Sequence, residues 1–213
     1  MKNMSIRSLL GIGLLGVDIA DDAVRVVELR RRRGKLLCRH CGAAALVPGV
    51  MLEGNVEDMP SLAEALRQAH RDSGSACTRV ALAMPATALI THAIRLPAGL
   101  PEEQQEILVE LEAAQYMPFA LEDASLDFFT LGPAPPLAGQ TVPEVDVLLV
   151  AARRASVQRR LDAAREAGLL AVVMDSEALA LQAALAQGGW QALPEGGVAY
   201  QLAWGLALHR YAR

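Results

Sequence analysis

The sequence predicts a mixed α/β (α+β) chain in two parts. One part opens as β-β-β-α-β and closes near the C-terminus, and a small α+β unit is inserted into it. Three observations predict this. Three apolar runs near the start are joined by tight polar turns, which marks a strand meander. A capped helical run and a short apolar strand follow. After Pro85 the pattern restarts as strand, helix, strand, strand, helix, before one more strand and helix. The expected boundaries are 12–86 plus 169–213 for the first part and 87–168 for the insert.

Gly13 to Ile19 reads as a buried strand and Asp21-Asp22 as a turn. Val24 to Arg30 alternates, with Arg25, Val27 and Leu29 on one side and Val24, Val26 and Glu28 on the other. Arg31 to Gly34 is a polar hairpin tip, and Lys35 to Leu46 a third strand. Pro48-Gly49 and Gly54-Asn55 mark a loop. Asp58 caps a helix with Pro60 in its first turn, Leu62, Ala65, Leu66 and Ala69 at helical spacing, and Gly74 at its end. Val80 to Met84 is a strand stopped by Pro85.

The insert begins with a strand from Leu89 to Leu96. Pro101 starts a helix with Glu102, Glu103 and Glu106 near its N-terminus, where carboxylates suit the dipole. Ile107, Leu108, Leu111 and Ala114 are its expected apolar face. Pro118 then forces the chain out of the helix. Ala124 to Leu131 is a strand, Gly132 to Pro143 a connector, Val145 to Ala152 a strand, and Ser156 to Ala167 a helix ended by Gly168. Leu169 to Met174 is a strand, followed by a helix capped by Asp175 and Ser176 that runs to about Gln187. Gln191 to Gly197 reads as a loop, and Val198, Leu202, Gly205 and Leu206 as a last helical face.

Composition bounds the function. The 213 residues are 53% hydrophobic and 21% charged, which is globular rather than disordered. Aromatics are only 4%, so Leu, Val and Ala must build most of the core. The net charge of −4 argues against generic nucleic-acid binding. The run from Leu9 to Ile19 is too short to span a bilayer, which takes about 20 apolar residues. Lys2 and Arg7 precede it, yet Asp18, Asp21 and Asp22 follow where a small-residue cleavage site would stand. A buried strand and a cytoplasmic location are therefore expected. Three cysteines, an odd count, give no disulfide framework.

Several clusters invite a chemical reading. Cys38-Arg39-His40-Cys41 looks like half of a zinc site, with Cys77, His70 and His92 as the available supplements. Strand alternation would put Cys38 and Cys41 on opposite faces, so no metal is expected. Arg30, Arg31, Arg32 and Arg33 form one basic run, and Arg153, Arg154, Arg159 and Arg160 a second. Each reads either as a solvated surface or as contact with anionic lipid. Glu102, Glu103, Glu106, Glu110 and Glu112 fit an exposed helix face better than paired acid/base chemistry. No nucleophile–base motif is present, so no catalytic residue is assigned. Tyr116-Met117-Pro118-Phe119 is an aromatic cluster in a chain poor in aromatics, and it reads as core or as a groove lining.

The segment from Leu96 to Phe128 resembles the inserted subdomain of the type IV pilus assembly proteins of the PilM family. Leu15-Gly16-Val17-Asp18-Ile19 followed by Val24 to Leu29 is similar to the family's first phosphate-loop hairpin. Pro48-Gly49 through Gly54-Asn55, Asp146 to Ala152, Val172 to Leu181 and Gly205-Leu206-Ala207-Leu208 are similar to its further elements. The resemblance implies half of an actin-like (ribonuclease H-like) ATPase fold with the inserted subdomain. Between Leu181 and Gly205 the family carries a second domain with a second phosphate loop and an adenine-binding segment. Here only Gln182 to Trp204 stand in that place.

The resemblance also implies a role. It points to a non-catalytic platform of type IV pilus assembly at the inner face of the bacterial inner membrane. The partner implied is the cytoplasmic N-terminal tail of a PilN-like inner-membrane protein, held between the subdomains, with Tyr116, Met117, Phe119 and Leu121 as the contact residues. Asp18 would be a vestigial position for the metal of a bound nucleotide. The turn Ala20-Asp21-Asp22-Ala23 stands where the family tends to have Gly followed by Ser or Thr, and its two carboxylates repel a triphosphate. No cofactor is therefore expected, although ATP and magnesium belong to full-length relatives. Homodimerisation would cover the face that a missing domain leaves open. Two alternatives stand beside this reading. One is an actin-like ATPase completed by a partner. The other is the cytoplasmic component of a type II secretion or MSHA-type pilus system.

Overall fold

The computed structural model describes residues 13–136 and 142–211. The expected N-terminal run and connector fall partly outside these. The chain divides into two compact units, one of residues 1–87 with 158–213 and one of residues 88–157.

The first unit is built on a five-stranded mixed sheet. Its strands are β1 (Leu15–Ile19), β2 (Ala23–Arg32), β3 (Lys35–Ala45), β6 (Arg79–Met84) and β10 (Leu170–Ser176), in the order β10-β6-β1-β2-β3. Two short strands, β4 (Met51–Leu52) and β5 (Asn55–Val56), pair in the loop after β3. The meander β1-β2-β3 is antiparallel, whereas β1, β6 and β10 run parallel. Every residue of β1 is buried, as expected of a strand covered on both faces.

The alternation in β2 sorts its side chains as the sequence requires. Val24 and Val26 join one apolar cluster with Leu62, Leu66 and Ala69 of α1 (Met59–Ser73). Val27 and Leu29 join a second cluster on the opposite face, with Ala203 and Trp204 of α5 (Gln201–Ala207). Helix α1 has the expected ends. The Asp58 side chain accepts from the Ser61 backbone N–H at 3.1 Å, and Gly74 closes the helix at φ 67°.

Helix α5 is approached closely from two sides. A Cβ on Gly16 of β1 would lie 1.9 Å from the Ala203 carbonyl oxygen. A Cβ on Gly205 would lie 1.9 Å from the Ala180 carbonyl oxygen in α4 (Glu177–Gln187). With a sheet below and a helix beside it, α5 buries all of Ala203–Ala207 rather than the single face expected. Val198 lies before this helix and is 66% exposed, so it is not part of that face.

The second unit is a three-stranded antiparallel sheet, β7 (Leu89–Pro97), β8 (Ala124–Pro133) and β9 (Glu144–Arg153), in the order β7-β9-β8. The central strand buries Val147, Leu149 and Ala151 against α2 (Glu102–Ala113). Here the expected helix face is corrected. Helix α2 buries Val109 and Ala113, while Ile107 and Leu111 are exposed at 65% and 64%. Apolar residues lie on several sides of this helix, so spacing alone does not select the inner one.

Helix α3 (Arg154–Glu166) follows β9, and Ala163 and Ala164 near its end belong to the core of the first unit. The expected insert of 87–168 is thus longer than the compact second unit. Among the described residues no helix is long and apolar enough to cross a membrane.

The close approach at α5 gives a direct expectation. Gly205→Ala forces α5 and α4 apart and lowers unfolding free energy by about 1–3 kcal/mol. A urea titration followed by circular dichroism measures it. Unchanged stability would contradict the packing described.

Candidate functional site

Two places carry the residues singled out by sequence. The first is the end of β1 and the turn into β2. Ala20 N–H donates to the Ala23 carbonyl at 3.1 Å and closes the turn. Arg25 grips Asp22 with both terminal nitrogens, at 3.2 and 2.7 Å. These bonds hold the Asp22 carboxyl below its ordinary value. Arg25 also comes within 4.0 Å of Asp18. Asp18 itself is buried, and burial pushes its pKa from the ordinary 3.8 up to about 7, against the pull of Arg25.

Sequence spacing did not reveal a second buried charge that acts on Asp18. Arg160 is only 2% exposed, and its guanidinium donates to the Gly54 carbonyl at 2.7 Å. It acts electrostatically on Asp18, on Glu177 at the start of α4, and is acted on by Asp21. Burial raises the Glu177 carboxyl and lowers the Arg160 guanidinium. The expected second basic cluster is therefore not one solvated face. The signal was available in the spacing, because Arg160 shares the buried side of α3 with Ala163 and Ala164, three and four residues on.

Chemically, the place holds a buried carboxylate and, acting on it only through its charge, a buried guanidinium. Its rim carries Asp21, Asp22 and Glu177. No glycine opens the turn toward an anionic ligand.

The second place is the link from α2 to β8. The chain leaves α2 through Tyr116 and Met117 N–H groups that both donate to the Ala113 carbonyl, at 2.9 and 3.2 Å. Pro118 prevents continuation. The four expected contact residues then separate into two pairs. Met117 and Leu121 pack against the core of the second unit. Tyr116, 39% exposed, stacks on His92 of β7 with ring centroids 3.7 Å apart. Phe119 is half-buried, and the Arg153 guanidinium lies 4.4 Å from its ring centroid. His92 and Arg153 are thus members of this surface that spacing did not reveal.

The cysteines need a correction. A β-bulge at Arg39 leaves Val27 opposite Cys41 and Leu29 opposite Cys38. Cys38 and Cys41 therefore share one face and pack on the same cluster, rather than pointing apart. Burial, reinforced by Cys41 beside it, pushes the Cys38 thiol up to about 12, which is far from a metal-binding thiolate. The His70 ring meets the Cys77 carbonyl at 2.9 Å. Among the described residues no three His, Cys, Asp or Glu side chains converge on a metal position.

The raised Asp18 pKa sets a pH dependence. Its folded value exceeds its unfolded value, so the folded state gains most below pH 3.8 and loses that contribution as pH rises to about 7. Asp18→Asn removes the titration. Between about pH 4 and pH 8 the native protein should lose about 2–4 kcal/mol more than the variant. Parallel urea titrations at the two pH values measure the difference. Equal slopes would show that Asp18 ionises freely.

Comparison with known proteins places this geometry. Residues 16–210 match the family described as type IV pilus assembly protein PilM. The PilM-PilN type IV pilus biogenesis complex superimposes with a TM-score of 0.71 and 29% identity, over 81% of this chain and 49% of that one. The chain thus spans about half the length of that relative. Two further structures share less. The cytoplasmic domain of EpsL, an inner membrane component of the type II secretion system of Vibrio cholerae, gives a TM-score of 0.48 at 15% identity over 79% of this chain and 58% of that one. A Bacteroides thetaiotaomicron protein with an actin-like ATPase fold gives 0.39 at 12% identity over 84% and 57%. The matched span takes in nearly all of both units. The chain belongs to the type IV pilus assembly protein PilM family.

Proposed function

We propose that the chain is a non-catalytic platform of type IV pilus assembly, at the cytoplasmic face of the inner membrane. It binds the N-terminal tail of a PilN-like inner-membrane protein. The observation that carries this reading is the 29% identity and 0.71 TM-score to a PilM-PilN complex. The second unit supplies a fitting surface. Tyr116 and Phe119 each have one ring face held by a polar partner, which fixes the ring while leaving area for a peptide. Met117 and Leu121 pack against the core of the same unit.

The non-catalytic part rests on the β1–β2 turn. Asp21 and Asp22 oppose a polyphosphate, and Arg25 lies 4.0 Å from Asp18, where a nucleotide's metal would have to compete. A second reading has one observation in its favour, the buried Asp18 at the end of β1, which suits a cation-positioning role.

Titration calorimetry with a synthetic PilN-type tail tests the first reading. Binding is expected, and Phe119→Ala weakens it about ten-fold, the scale of an aromatic anchor. A folded protein that binds no such tail would overturn the assignment of partner. Binding unaffected by Phe119→Ala and Tyr116→Ala would move the site elsewhere.

Thermal unfolding with magnesium and ATP tests the second reading. No rise in Tm is expected at millimolar nucleotide. A rise, lost in Asp18→Asn, would establish nucleotide binding in its place.

A further inference from the structure

The tip of the β2–β3 hairpin concentrates positive charge in a chain whose net charge is −4. Arg30, Arg31, Arg32, Arg33 and Lys35 all lie there and all are exposed. The turn is the two-residue kind with both φ positive, 50° at Arg33 and 78° at Gly34, which suits a twisted two-stranded ribbon. Strand alternation sends Arg30 and Arg32 to one side of the ribbon and Arg31 to the other. The tip is therefore cationic around its whole girth. Among the described residues, Arg30, Arg32, Arg33 and Lys35 have no carboxylate within ion-pair distance. A solvated face on a globular surface normally interleaves its signs. This one does not.

Apolar side chains flank the tip. Leu37, opposite Arg30 on β3, is 38% exposed. The Arg31 guanidinium sits 5.0 Å over the ring of Tyr211. Beside them opens a pocket of about 420 Å³, lined by Arg31, Leu36, Leu179 and Tyr211 and also by the Asp175–His209 pair. These neighbours decide between two anionic partners. A nucleic acid is held by cations interleaved with flat stacking rings. A bilayer surface takes cations at the phosphates, a tyrosine at the interface and aliphatic side chains below it.

The geometry points to a membrane-facing hairpin: Arg30, Arg31, Arg32, Arg33 and Lys35 dock the first unit on an anionic lipid surface, with Leu37 and Tyr211 entering the headgroup layer. The docking does not depend on the tail-binding reading, which concerns the second unit. It is weak by itself and reversible, and it acts only within a Debye length of the surface.

Flotation of the full chain with lipid vesicles tests it. One set is phosphatidylcholine alone, and the other contains phosphatidylglycerol as well. The protein is expected to float with the anionic vesicles only, and high salt releases it. The variant Arg30→Ser, Arg32→Ser, Arg33→Asn keeps a residue that tolerates positive φ at the turn. Each lost arginine lowers the partition coefficient about five-fold. If the variant does not fold, the salt dependence of the native protein and its lipid preference decide alone. Equal flotation with both vesicle types, or none, overturns the proposal. So does flotation that neither salt nor the folded variant reduces. A protein that binds a short DNA duplex as tightly as the anionic vesicles would overturn the choice of lipid.

Discussion

The structure of the first unit depends on how closely α5 meets its neighbours. Its backbone lies in contact with β1 at Gly16 and with α4 at Gly205, where any side chain would collide with a carbonyl oxygen. That closeness has an energetic purpose. The chain has few aromatics, and Trp204 is its largest fully buried side chain. Burying one tryptophan removes about 200 Å² from water, worth roughly 5 kcal/mol. The gain is realised only if α5 sits low enough for Trp204 to reach Val27 and Leu29 of β2. The two glycines allow that depth. The double-sided burial of β2 then follows, and with it the position of the hairpin that β2 begins.

Charge at the β1–β2 turn is arranged around the same sheet. Asp18 lies on a wholly buried strand, with the Arg25 guanidinium 4.0 Å away and the charge of Arg160 in α3 acting on it more weakly. Burying a lone charge would cost several kcal/mol. The two guanidinium groups offset part of that cost at Asp18, and the Gly54 carbonyl takes one hydrogen of Arg160. The turn itself is held by the Arg25–Asp22 pair within the protein. A phosphate loop works differently, leaving backbone N–H groups free for an outside anion. The difference is chemical and local.

How much of this the sequence showed depends on how local each feature is. The capped α1 was legible because Asp58, Pro60 and Gly74 act within a few residues. The two faces of β2 were legible because period two leaves one solution. The shared face of Cys38 and Cys41 was not, because a one-residue bulge at Arg39 reverses alternation and nothing at that position announces it. The inner face of α2 was not, because Ile107 and Leu111 are as apolar as Val109. Arg160 was hidden by residue type, since an arginine in a basic run is ordinarily solvated. In the link from α2 to β8 the sequence left open how the four residues divide. Only the sheet shows that Met117 and Leu121 turn inward while Tyr116 and Phe119 stay at the surface.

That division matters because large rings are scarce here. A chain with three Phe, three Tyr and two Trp gains most by placing each in a core. Tyr116 and Phe119 are instead kept at the surface of the second unit, each with one face against a polar group, His92 or Arg153. The polar partner does two things. It compensates the ring for the apolar contact it forgoes, through stacking or cation–π attraction. It also fixes the ring before any ligand arrives, which lowers the ordering cost of binding. On the proposed reading, two rings held within four residues of each other are what an extended peptide would meet.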